Sequence, residues 1–126
     1  MTVFLFDELL AAAERSEAAL GTSWFHAFEE QAMQVGVMTV SMHLPGVASL
    51  KDKRHIVKSV IGRLQSRFNV SVSEVEHQDS KTLAVLGIAV VSNDAVFVDQ
   101  QLDSILQFMR NDGRFYLGQV EREVFS

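Results

Sequence analysis

The sequence predicts an α+β sandwich in which a four-stranded antiparallel sheet carries two helices on one face. Three observations predict it. Residues 34–44 and 82–91 are apolar or small at nearly every position, the pattern of strands covered on both faces. Residues 49–68 and 93–110 repeat apolar side chains every three or four positions, which is helical periodicity. Turn-forming residues separate these stretches, so the order becomes strand, helix, strand, strand, helix, strand.

Taken in order, residues 2–20 place Leu5, Phe6, Leu9, Ala13 and Leu20 on one helical stripe, opposite Asp7, Glu8, Glu14 and Arg15. Gly21 ends this amphipathic helix, and Thr22 or Ser23 caps a second short one carrying Trp24, Phe25 and Phe28. A break near Met33 divides the chain into a helical extension, residues 1–33, and a domain, residues 34–126. The first strand of that domain is stopped by Pro45 and Gly46. Ser49, followed by Asp52 three residues later, is a close variant of the capping box and opens a helix. The core-facing stripe of this helix is Leu50, Val57, Val60, Ile61, Leu64 and Phe68. Residues 70–77 alternate well enough for a strand, with Glu74 and Glu76 marking an exposed edge. A polar turn over residues 78–81 leads into the second apolar strand. Ser92 and Asn93 cap the next helix, whose core stripe is Val98, Leu102, Ile105, Leu106 and Met109. Asn111, Asp112 and Gly113 then turn the chain into a last strand over residues 115–124, where Glu121, Arg122 and Glu123 are charged.

Two interleaved right-handed crossovers in this order make the split βαβ, ferredoxin-like sandwich, in which the first and third strands are central. The ranking of the strands agrees, because the two most apolar ones are the first and third.

A chain of 126 residues is one ordinary domain with an appendage. It contains no cysteine, which removes disulfides, thiol nucleophiles and thiolate metal sites, and fits a reducing compartment. The longest apolar run, residues 83–91, is about half of the ~20 residues needed to cross a bilayer. The N-terminus lacks the basic region of a secretory signal, so a cytoplasmic location without membrane contact is expected. The net charge is -5, but it is segregated. Residues 1–33 hold six acids against Arg15 alone, and the remainder is neutral. Six of the bases in that remainder fall within residues 51–67, opposed only by Asp52.

The segments GVMTVSMHLPG (36–46), SLKDKR (49–54), VKS (57–59), RFNVSVSEVEHQD (67–79) and LGIAVVSND (86–94) resemble the small bacterial YlxP-like family. The resemblance covers most of residues 34–126. It implies a ferredoxin-like fold and no established activity. The genes of the family commonly lie near those for translation initiation and ribosome maturation, which implies a role at the small ribosomal subunit. The chain departs from the family after HQD, where an aromatic and an Arg give way to Ser80, Lys81, Thr82 and Leu83. Residues 1–32 also lie outside the family domain, whose usual start corresponds to Met33.

Among candidate sites the basic helix stands first. At 100° per residue, Lys51, Arg54 and Lys58 share one flank with His55 beside them, and Arg63 and Arg67 lie across the apolar stripe. Such a ridge suits the phosphates of structured RNA. The structural alternative is pairing with Asp94, Asp99 and Asp103 of the next helix, or plain solvation. Base stacking on the sheet, as in RNA-recognition motifs, is not expected, since the central strands contain no Phe, Tyr or Trp. Glu74, Glu76, His77 and Asp79 match no metal-ligand spacing and read as a charged edge running into a polar turn. Pairing them with Glu121 and Glu123 is not expected either, because those lie on the opposite edge, ~14 Å away at ~4.8 Å per strand step. His43, just before the Pro45-Gly46 turn, reads as a hydrogen-bonded loop histidine or as a phosphate contact near the basic helix. No phosphate-binding, hydrolase or metalloprotease motif occurs, so no catalytic residue, metal, cofactor or small-molecule substrate is assigned.

The function expected from this reading is a non-enzymatic, ribosome-associated accessory protein. It would bind structured RNA or the small ribosomal subunit through Lys51, Arg54, Lys58, Arg63 and Arg67. The alternative is a homodimeric protein-protein module, because Val35, Val37, Leu83 and Val85 present a second apolar sheet face opposite Met38, Val40, Leu86 and Ile88.

Overall fold

The computed structural model describes residues 33–126. The amphipathic extension expected over residues 1–33 lies outside them, Met33 apart. The described chain runs β1 (Gln34–His43), α1 (Leu50–Arg67), β2 (Ser71–Glu76), β3 (Leu83–Ser92), α2 (Ala95–Arg110) and β4 (Tyr116–Phe125). The sheet order is β2-β3-β1-β4, every neighbouring pair antiparallel. This is the ferredoxin-like arrangement that the pattern of apolar residues predicts, with β1 and β3 at the centre.

The alternation of the central strands separates two faces of the sheet. Met38, Val40 and Met42 of β1 and Ala84, Leu86, Ile88 and Val90 of β3 are buried beneath the helices. They meet Val57, Val60 and Leu64 of α1 and the five expected residues of α2, Val98, Leu102, Ile105, Leu106 and Met109. Each fully buried apolar side chain of this size contributes roughly 1.5–3 kcal/mol, so this layer is what holds the domain together. The reverse face carries Val35, Val37, Leu83, Val85 and Ala89, all half-buried, and Val91, which is exposed. At Gly36 the sheet meets α2 so closely that a Cβ would collide with Cγ1 of Val98.

The caps set where the helices begin. Ser49 is extended, and its hydroxyl accepts the Asp52 backbone N–H at 3.1 Å, as expected. For α2 the cap is Asp94, rather than Ser92 or Asn93. Its carboxylate accepts from the backbone of Val96 at 2.9 Å and of Phe97 at 3.4 Å, while the Ser92 hydroxyl accepts from the Asp94 N–H one step earlier. A carboxylate one residue further on reaches the orphan amides and also favours the positive end of the helix dipole. Among the described residues no helix is long and apolar enough to cross a membrane.

Candidate nucleic-acid interface

Helix α1 presents a buried stripe at positions 53, 57, 60 and 64, spaced by four, three and four residues. Its first member is Lys53, which has 0% exposure. The Lys53 ammonium donates to Glu74 Oε2 at 2.5 Å, to the His77 carbonyl at 2.9 Å and to the Gln78 carbonyl at 3.4 Å. Three acceptors satisfy the three donors of an ammonium, which is what a buried lysine requires. Lys53 therefore drops out of the cluster of six bases. The same contact corrects the reading of Glu74. β2 is an edge strand, but Glu74 pairs with the inward-facing Leu86 and its side chain lies against α1, not in solvent. His77, held by its carbonyl, takes a left-handed backbone conformation with φ 64°.

The remaining five bases of the helix are all exposed. On one flank, Lys51 and Lys58 make no ion pair among the described residues, and Arg54 reaches Asp79 only at 4.0 Å, with 56% and 98% of the two side chains exposed. A contact that open is worth ~0–1 kcal/mol. Pairing with the acids of α2 does not occur. Asp94 is a helix cap, and Asp99 and Asp103 both hold Arg122 of β4, the Asp103 bond measuring 2.7 Å. Burial works against the charge of Arg122, but the hydrogen bonds it donates to Asp99 and Asp103 outweigh it and raise its pKa above the ordinary arginine value.

On the other flank, Arg63 and Arg67 join Ser66 and Phe108 around an open, shallow cleft of about 460 Å³. The Arg67 guanidinium carbon stands 5.1 Å from the centre of the Phe108 ring, which Phe68 meets edge-on at 6.0 Å. The neighbouring acid, Asp112, spends both carboxylate oxygens on Arg114, at 3.0 and 2.6 Å. Hydrogen bonding to Arg114 holds the Asp112 carboxyl below its usual pKa, with a smaller contribution from the charge of Arg63. Arg114 also reaches the Ser59 hydroxyl of α1 at 3.4 Å.

The residues set aside at the sequence level fall elsewhere. His43 is the last residue of β1 and faces the side of the sheet away from both helices, where its ring stacks on Tyr116 at 5.1 Å and 8°. It is neither a loop histidine nor a neighbour of the basic flank, because strand alternation carries its side chain through the sheet. Glu76 and Glu121, from opposite edges, border one shallow depression of about 130 Å³ floored by Thr39, Ser41 and Val85. Among the described residues no group of three or more His, Asp or Glu converges as metal ligands.

A family model described as "Protein of unknown function (DUF503)" matches residues 35–122. The chain belongs to this family. Over 61 residues it is 41% identical to the uncharacterized protein YlxP of Bacillus subtilis strain 168, covering 48% of this chain and 66% of that protein, just under two thirds of its length. This is the resemblance expected from the SLKDKR and VSND segments. Among solved structures, the de novo designed protein Foldit4 aligns with TM-score 0.45 at 14% identity, covering 74% of this chain and 97% of its own. An amidase of the hydantoinase/carbamoylase family from Burkholderia phymatum aligns with TM-score 0.44 at 9% identity, covering 74% of this chain and 28% of its own.

Proposed function

We propose that the chain is a non-enzymatic accessory protein that binds structured RNA of the small ribosomal subunit through α1. The observation that supports this reading is the flank of Lys51, Arg54 and Lys58. The fold has nearby acids and uses them elsewhere, leaving three cations together with, among the described residues, one weak ion pair. Clustered unpaired cations repel one another, so they are retained at a cost unless a polyanion relieves it. RNA phosphates would supply that relief through charge and counterion release.

Ribosomal-RNA binding by the Lys51→Gln, Arg54→Gln, Lys58→Gln triple variant, measured across several salt concentrations, tests the reading. Loss of three phosphate contacts flattens the dependence of log K on log salt by about two to three. Unchanged affinity and slope would sink it. Sedimentation of a lysate on a gradient tests the ribosomal part, with the protein expected in the small-subunit fractions and not at the top.

A homodimer joined through the reverse face of the sheet is the second reading, favoured by Val35, Val37, Leu83, Val85 and Val91 on that face. Glu76, Glu121 and Glu123 project from the same side, where the strands place no Lys or Arg, so stacking two such faces brings acids together. Scattering-determined mass at several protein concentrations separates the two readings.

A further inference from the structure

Resting on the RNA reading above, we propose that the cleft of Arg63, Ser66, Arg67 and Phe108 receives one unpaired nucleotide of the bound RNA, its base stacked on the Arg67 guanidinium and its phosphate held by Arg63. Three features of the cleft carry this. The Arg67 guanidinium carbon lies over the Phe108 ring, which Phe68 in turn braces edge-on, so an exposed guanidinium is held against an aromatic ring at the rim of an open cleft. A guanidinium plane held in this way is a stacking platform that accepts any base. Arg63, one helical turn earlier, is exposed and has no ion pair among the described residues, because the carboxylate its charge reaches is committed to Arg114. It is thus available to a phosphate beside the stacked base. Finally, the outer surface of α1 between the two basic flanks carries no acid beyond the first turn. Gly62 lies there with nothing within 4 Å of where a Cβ would stand, and the one acid of the helix, Asp52, is in its first turn. A strand that touches Arg54 can cross that surface and reach Arg67, thirteen residues on and ~20 Å along the axis.

The openness of the cleft decides the kind of ligand. Sites for free small molecules bury roughly 70–90% of the ligand surface, whereas this one backs a base on one side only. Its occupant must be held by the rest of a larger molecule, which favours a bulged or looped-out nucleotide over a free one.

The test uses the full chain and two RNA hairpins, one with a single bulged adenosine and one fully paired, followed by fluorescence anisotropy. The bulged hairpin is expected to bind about tenfold more tightly, the scale of one base-aromatic or base-guanidinium stack. Arg67→Lys keeps the charge and removes the plane, so it should erase that preference while leaving the salt slope intact. Arg63→Gln should lower the slope by ~0.7–0.9. Urea midpoints of both variants, equal to that of the parent chain, exclude a folding defect. Equal affinity of the parent chain for the two hairpins, or a full bulge preference in Arg67→Lys, overturns the nucleotide site and leaves the ridge reading standing. Failure to bind either hairpin overturns both.

Discussion

Helices α1 and α2 lie side by side on one face of the sheet, and each exchanges charge with the edge strand beneath it. The two clamps are of opposite sense. In α1 the helix supplies the cation, Lys53, and β2 supplies the carboxylate of Glu74. In α2 the helix supplies the acids, Asp99 and Asp103, and β4 supplies Arg122. They also differ in depth, since the Lys53 side chain is 0% exposed and that of Arg122 is 27% exposed. Depth decides what each is worth, because removing one partner of a buried pair strands a charge away from water, whereas an open pair falls back on solvation. The difference also explains what is left over. α2 spends its acids within the fold, while α1 keeps five cations outside it.

The sharpest break of this comparison is Lys53→Met. It leaves the Glu74 carboxylate and two carbonyls without their donor, and the expected loss is about 3–5 kcal/mol by urea unfolding. A loss below about 1 kcal/mol would mean that the Lys53 clamp is no deeper in effect than that of Arg122. Next comes Gly36→Ala, which drives a methyl into Val98 of α2. Overpacking of this kind costs ~1–3 kcal/mol, and a neutral result would show that α2 can lift off the sheet without penalty. Arg122→Ala should cost about 1 kcal/mol, most visibly at low ionic strength where the freed Asp99 and Asp103 repel. The smallest effect belongs to the ridge. The Lys51, Arg54, Lys58 triple change should leave stability within ~0.5 kcal/mol of the parent chain, because among the described residues the one ion pair of those side chains is the open Arg54–Asp79 contact.

These differences mark where the sequence is readable and where it is not. The stripe of α2 could be read residue by residue, since five apolar side chains at helical spacing have one way to be buried. The central strands were equally plain, because β1 and β3 are apolar on both faces. The positions of Lys51, Arg54, Lys58, Arg63 and Arg67 on two flanks follow from the helical angle alone. Lys53 was not legible. A lysine at a stripe position reads as a surface residue until its acceptors are known, and Glu74 lies 21 residues away on another element. A slot at position 53 that helical spacing directs inward, with a carboxylate at an inward register of the next strand, was the available signal. Arg122 and Asp99 pose the same difficulty across 23 residues. The Phe108 backing of Arg67 brings together the ends of two helices, which no local pattern encodes. His43 was misplaced although residues 34–44 read as a strand, because its nearness to the Pro45-Gly46 turn outweighed the alternation that turns its side chain to the face away from the helices.

The stack of His43 on Tyr116 joins the end of β1 to the start of β4, and the His43 ring fills the space that a side chain at position 118 would need. Tyr116 is the single tyrosine of the chain. The seam between a central strand and an edge strand therefore carries its own magnetic label, because the ring current of Tyr116 displaces the His43 ring protons only while the two strands remain zipped. Fraying of β4 and melting of the layer beneath the helices become two separate curves, readable from the unmodified protein without any introduced probe.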